Sequence, residues 1–196
     1  MFTRGFKTWC ENVALEIRRE LDLPNTDPLR PSDLARYLTA ELLTPGDIPG
    51  LSPKATRVLL KTESDTWSAV TVSYGGRNIV IYNPTHSPAR QSSDIMHELS
   101  HLVIGHDPSQ VLLSQDGQIA LRSYNQLQEQ EAAWLSGCLL LPRDVLLYIK
   151  RSGMESQEAC RVYGVSRDLL TFRLNASGVN LQFERERKRA GRTGAR

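Results

Sequence analysis

Apolar residues at Phe6, Trp9, Val13, Ile17 and Leu21 recur with the helical period, which predicts a first helix with that stripe turned inward and Pro24 closing it. Ser32, following Pro31, reads as the N-cap of a second helix with Leu34, Tyr37 and Leu38 inward. Thr44-Pro45-Gly46 and Pro49-Gly50 are turn signals. The pattern then becomes extended. Arg57-Val58-Leu59-Leu60 predicts a short strand, and Trp67 to Tyr74 meets Arg77 to Tyr82 across Gly75-Gly76, a strong hairpin signal. Helical spacing returns from Ser87-Pro88 to about Gly105, from Asn125 to Leu140 before Pro142, and from Arg143 to about Lys150. The last patterned stretch reads as helix, Gly164 turn, helix, ending near Gly178. The expected class is α+β, mostly helical, with a small antiparallel sheet.

Length and composition narrow this picture. At 196 residues the chain suits one domain, or one with a small appendage, and can bury a real core. A net charge of +2 is too near neutral to imply a nucleic-acid partner. The exception is local: from Glu184 to Arg196 the chain is rich in Arg and Lys and poor in apolar residues. That segment reads either as a solvated, frayed tail or as an electrostatic arm for DNA or an acidic partner. Cys10, Cys138 and Cys160 are odd in number and include no C-x-x-C, which points to a reducing compartment. Phe2 to Lys7 offers no apolar leader, and no apolar run is long enough to span a bilayer, so a cytoplasmic protein without membrane contact is expected.

The chemistry concentrates in Met96-His97-Glu98-Leu99-Ser100-His101, an H-E-x-x-H pattern. Four residues apart on a helix, His97 and His101 share one face and can grip a single zinc ion, with Glu98 placed to take a proton from water. Ile95, Leu99, Leu102 and Val103 embed the motif in a core, where unpaired His and Glu would be costly. A catalytic zinc needs a third protein ligand. Glu129 is preferred, because Ala132, Ala133, Ser136 and Gly137 on its helical face would allow close approach to the metal helix. Glu131 is the rival, beside the bulkier Trp134, Leu135 and Cys138. Asp107 has the interval of the extended H-E-x-x-H-x-x-G-x-x-H/D motif, but Ile104 stands where that motif needs Gly. Tyr124, Tyr148 and His106 are candidate oxyanion donors, His106 also suits a helix C-terminus, and His86 reads as a loop residue. Cys138 and Cys160 read as small buried hydrophobes rather than ligands.

With these residues in place, the sequence resembles the ImmA/IrrE family of bacterial metallo-endopeptidases, including its defence-associated members. His97-Glu98-Leu99-Ser100-His101 is similar to the family's H-E-L-G-H, and Glu129 to Ala132 with Leu139-Leu140-Leu141-Pro142 to its E-x-x-A…L-L-M-P segment. The strands at Trp67-Ser68-Ala69 and Ile81-Tyr82-Asn83 resemble its preceding sheet, and Ala159 to Leu174 its helix-turn-helix-like tail. Ser100, Ala133, Leu135 and Cys138 depart from the usual residues without removing a ligand or the base. The resemblance implies a zincin-like peptidase core over residues 1–150, a helix-turn-helix-like helical tail over 151–180 packed on it, and a basic, flexible tail over 181–196. It implies a zinc centre of His97, His101 and Glu129 with Glu98 as the base. It also implies a protein substrate, a helix-turn-helix transcriptional repressor encoded nearby, whose cleavage derepresses stress, mobile-element or phage-defence genes. Single-stranded DNA is the expected activator of defence-associated members, and no counterpart of the sensor domain of the radiation-resistance members is expected.

Two other readings compete with the enzyme. Ala159 to Ser166 could open a DNA-binding helix-turn-helix whose second helix offers Arg167, Asp168, Thr171 and Arg173; the bland alternative is that this pair completes the core. An inactive peptidase fold acting as a repressor-binding module is the third, opposed by the intact ligands and base.

Overall fold

The computed structural model describes residues 2–62, 65–106, 111–113, 119–121 and 125–193. The first helix, α1 (Phe6–Glu20), is followed by α2 (Pro31–Tyr37) and strand β1 (Ala40–Leu43). After a 3-10 turn at Pro45–Asp47 come α3 (Pro53–Arg57), which continues as a π turn over Val58–Thr62, and the hairpin β2 (Ala69–Tyr74) and β3 (Arg77–Tyr82). Helix α4 (Pro88–Ile104), strands β4 (Val111–Leu113) and β5 (Ile119–Leu121), and helix α5 (Gln126–Leu140) form the middle of the chain. It closes with α6 (Arg143–Ser152), α7 (Ser156–Tyr163), α8 (Arg167–Ala176) and α9 (Val179–Thr193).

The expected hairpin forms with Tyr74 opposite Arg77, and both turn glycines adopt positive φ, 58° at Gly75 and 76° at Gly76. The sheet is nevertheless mixed rather than antiparallel, because β1 adds parallel to β3 in the order β1-β3-β2. Ala-Glu-Leu-Leu lacks the β-branched residues that mark a strand, so β1 is set by its tertiary pairing. The predicted strand at Arg57–Leu60 is a second correction: Ser52 caps the amide of Ala55, Pro53 occupies the first helical position, and the segment is helical. The inward stripe of α1 is rotated from the one expected. Cys10, Ala14, Ile17 and Arg18 are buried and Trp9 is exposed, while Phe6, Val13 and Leu21 lean on the core edge. Helix α2 starts two residues earlier than expected, with Arg30 rather than Ser32 before its first turn, and Tyr37 is exposed. Residues 181–193, read as tail, continue the chain as α9.

One apolar core runs through the molecule from Cys10 and Leu34 through Met96, Leu99, Leu135 and Leu139 to Tyr163, Leu170 and Val179. Helix α5 is its axis, packing against both α4 and α1, and Leu135 to Leu141 are buried without interruption. A buried helix end must find partners for its last carbonyls. Two arginines, both with no exposed surface, supply them here. Arg18 of α1 donates to Leu139 O at 2.8 Å and to Ala14 O, and Arg173 of α8 donates to Leu141 O from Nε and Nη2. Burial pushes the Arg18 guanidinium down to about 10, so it stays charged at neutral pH. Arg173 is neutralised by Glu11, whose Oε1 lies 2.6 Å from Nη2 and whose Oε2 accepts the Arg143 amide at 2.8 Å. Gly137 leaves room for Arg173, since a Cβ there would sit 3.0 Å from Arg173 Cδ and press on the buried side chain. Among the described residues, no single helix is long and apolar enough to cross a membrane.

Candidate metal centre

Helix α4 carries the H-E-x-x-H pattern, and its ends are fixed by local chemistry. Ser87 accepts the Arg90 amide at 3.4 Å, and Pro88 stands at the first helical position. At the far end Gly105 adopts φ 78°, and its amide and that of His106 return to Leu102 O and His101 O. This is a Schellman ending, which only a left-handed residue at that place permits. It folds the chain back so that the His106 ring lies beside the His101 ring. At the start of α4, His86 is in the loop as expected but buried, with Nδ1 3.2 Å from Asp94 and Nε2 3.4 Å from Asn83.

The first turn of α5 faces this helix. Asn125 caps it by accepting the Leu127 and Gln128 amides, which aims Glu129 at the histidine pair. Glu129 Oε2 is 3.1 Å from His97 Nε2, Glu129 Oε1 is 3.6 Å from His101 Nε2, and the two Nε2 atoms are 3.2 Å apart. His97, His101 and Glu129 thus offer three ligand atoms all within 4.8 Å of one another, a group that could hold a metal ion. Two imidazoles and one carboxylate are a set that a divalent metal takes, and the side chains are partly exposed, which gives water or substrate an approach. Burial, then the neighbouring His97, pushes His101 down to about 4, which leaves its imidazole neutral and able to ligate.

Glu98, between the two histidines on α4, lies within electrostatic reach of His97 and Glu129 and also meets the sheet. The Thr71 hydroxyl of β2 donates to Glu98 Oε2 at 2.6 Å. Burial pushes the Glu98 carboxyl above its ordinary value; Thr71 and the neighbouring His97 pull it back, and Glu129 adds to the rise. A carboxyl so balanced can both accept and return a proton. Sequence reasoning missed Thr71. Its signal was a polar residue on the inward face of the strand before the motif, where a buried hydroxyl must find an acceptor.

The remaining sequence candidates separate clearly. Glu131 is outside the ligand group and meets His106 instead, Oε2 to Nε2 at 3.2 Å, while His106 Nδ1 is 2.9 Å from His101 Nδ1. With both ring nitrogens engaged, His106 is not a free oxyanion donor. Tyr148 stands exposed on α6 within electrostatic range of Tyr163, and Asp107 and Tyr124 lie outside the described residues. Cys138 is buried against Cys10, which with burial pushes its thiol far up, and Cys160 is raised by burial. Neither belongs to the ligand group. Ser100, which departs from the family's usual Gly, satisfies its buried hydroxyl on Met96 O at 2.7 Å. The small-residue face beside Glu129 is divided in use: Ala132 is buried, Ala133 is exposed, and Gly137 makes room for Arg173 rather than for α4.

A helix-borne pair of histidines, a carboxylate from a second helix and an adjacent buried glutamate form a centre of the metallopeptidase kind. The match to known families agrees: residues 54–175 fit the IrrE N-terminal-like domain, and the chain belongs to this M78 (ImmA/IrrE) family of metallopeptidases. No curated protein matches the chain significantly.

Proposed function

We propose that this protein is a zinc-dependent endopeptidase of the cytoplasm, with a zincin-like core, whose substrate is a helix-turn-helix transcriptional repressor. The observation that carries the catalytic part is the convergence of His97, His101 and Glu129 with Glu98 on the same helix, inside a matched peptidase domain. The donor set favours zinc, with His97 and His101 ligating through Nε2 and Glu129 through its carboxylate. Bound there, zinc would act as a Lewis acid, making an adjacent water easier to deprotonate near neutral pH and polarising the scissile carbonyl. Glu98 takes the proton from that water on its carboxylate and returns it to the leaving amine. Thr71 holds Glu98 in place through the 2.6 Å hydrogen bond. Among the described residues, strand β2, which carries Thr71, is an edge of its sheet, the kind of strand to which an extended peptide can add.

The repressor and its derepressed stress, mobile-element or phage-defence genes are proposed by likeness to the family's repressor-cleaving members, and activation by single-stranded DNA by likeness to some of its defence-associated members. The DNA-binding alternative is weakened by Arg173: one of the two arginines that would arm a recognition helix has no exposed surface and is paired with Glu11, which leaves Arg167 beside the acidic Asp168 on the exposed side. That supports a helix-turn-helix-like pair, α7 and α8, that completes the core. The test incubates the zinc-loaded protein with the repressor encoded beside its gene, with and without single-stranded DNA. Glu98→Gln should keep one zinc and lose cleavage. Full activity in that variant would end the proposal, and an uncut repressor that still binds tightly would support the inactive binding module.

A further inference from the structure

We propose that His106 and Glu131 are positioning residues of the metal centre, holding His101 in the one tautomer and orientation that leave its Nε2 free for the metal. The inference rests on the metal-site reading above and adds to it the part of the site that decides how His101 is presented.

Donor and acceptor order assigns the ring protons. A metal on His101 Nε2 needs the lone pair of that atom, so the ring proton of neutral His101 must sit on Nδ1. His101 Nδ1 lies 2.9 Å from His106 Nδ1. Two nitrogens at that distance share one hydrogen, so His106 Nδ1 accepts and the His106 proton is forced onto Nε2. His106 Nε2 in turn lies 3.2 Å from Glu131 Oε2, an obligate acceptor when ionised. Every link therefore has a single consistent direction: His101 Nδ1–H to His106 Nδ1, and His106 Nε2–H to Glu131. Reversing either link would place two hydrogens or two lone pairs face to face.

Burial and backbone geometry support the same reading. The His106 side chain is 6 % exposed and that of Glu131 15 %, so water is a poor substitute partner for either. His106 is delivered by the Gly105 turn, and Glu131 comes from the same first turns of α5 that deliver Glu129. Standing two residues apart, Glu129 and Glu131 straddle the face of α5 that meets α4. One reaches the ligand nitrogens and the other reaches the ring behind them.

The experiment compares wild type with His106→Leu, His106→Asn, Glu131→Leu and Glu131→Gln, all as full chains. Zinc affinity is read by chelator competition, and cobalt substitution gives a ligand-field spectrum. Thermal melting of the metal-free proteins reports folding. The two leucine variants should bind zinc about 10- to 100-fold more weakly and alter the cobalt bands. Asn, whose Oδ1 stands near the place of Nδ1, and Gln, which keeps an acceptor, should recover most of the affinity. Leucine variants that fold, bind zinc as tightly as wild type and leave the spectrum unchanged would overturn the inference. Failure of the wild type itself to bind zinc would instead remove the underlying reading. Should the leucine variants not fold, nitrogen-15 NMR of zinc-loaded wild type decides. His101 protonated at Nδ1 with His106 protonated at Nε2 is the expected pattern, and His106 protonated at Nδ1 overturns it.

Discussion

Replacing Thr71 with valine removes one hydroxyl and keeps the shape of a β-branched side chain on β2. The hydroxyl donates at 2.6 Å to Glu98, a buried carboxyl, and outweighs the pull of the Thr71 backbone, which valine keeps. A hydrogen bond to a charged group contributes about 1.5–3 kcal/mol. The bond favours the ionised form of Glu98, so its loss raises the Glu98 pKa further in the direction that burial already sets. The sign for catalysis follows. Glu98 must be ionised to accept a proton from water, so the acidic limb of kcat/KM against pH moves to higher pH. On that limb the loss is about 10- to 150-fold at one tenfold per 1.36 kcal/mol, and it shrinks as pH rises past the limb. The assay is initial-rate cleavage of the repressor from acid to mildly alkaline pH for wild type, Thr71→Val and Thr71→Ser. Serine should restore the wild-type profile. A valine variant that cleaves more slowly by the same factor at every pH would refute this account of Thr71, because it would have lost placement of the strand rather than control of the base.

Other outcomes follow from the same geometry. Glu11→Ala strands the buried Arg173 charge, and should cost about 3–5 kcal/mol by urea denaturation; pairing Glu11→Leu with Arg173→Met should recover much of it. Gly105→Ala meets no steric neighbour but needs a left-handed alanine, so it should cost about 1–2 kcal/mol and weaken zinc binding by displacing His106. His101 is held near 4 when folded and returns to its ordinary value near 6.5 when unfolded. The unfolded chain therefore binds the extra proton in that window, and the metal-free protein should lose stability as pH falls from about 6.5 towards 4. The urea midpoint of His101→Gln should depend less on pH over the same range.

The sequence made some of these features readable because their causes are local. Ser87-Pro88 and Gly105 mark the ends of α4 through caps that act within a turn, and the i, i+4 spacing of His97 and His101 needs only the helix. Glu129 is legible because α5 has to approach α4, although the small residues on its face do not all serve that approach, since Gly137 makes room for Arg173. What stayed hidden depends on partners far along the chain. Strand β1 exists through pairing with β3, and Thr71 gains its role from Glu98, 27 residues later. His106 and Glu131 each looked like a failed candidate for another job. Arg18 and Arg173 carry charge, which argues for the surface, and the open carbonyls at the end of α5, with Glu11 beside Arg173, draw them inside.

Those two arginines bear on where this protein can be divided. The stretch shared with the peptidase family runs over residues 54–175, and begins inside α3. Helix α1 lies before it, yet Glu11 neutralises Arg173 and Arg18 closes the carbonyl of Leu139 from there. Strand β1, also outside the match, supplies the parallel neighbour of β3. A fragment trimmed to the shared boundaries would keep all three ligand residues and still hold a buried cation without its counter-charge. Such a fragment should collapse without fixed packing, and lose its zinc affinity with it. Inheritance and cooperative folding therefore draw different borders in this molecule, and a recombinant shuffle made at the first border would cut across the second.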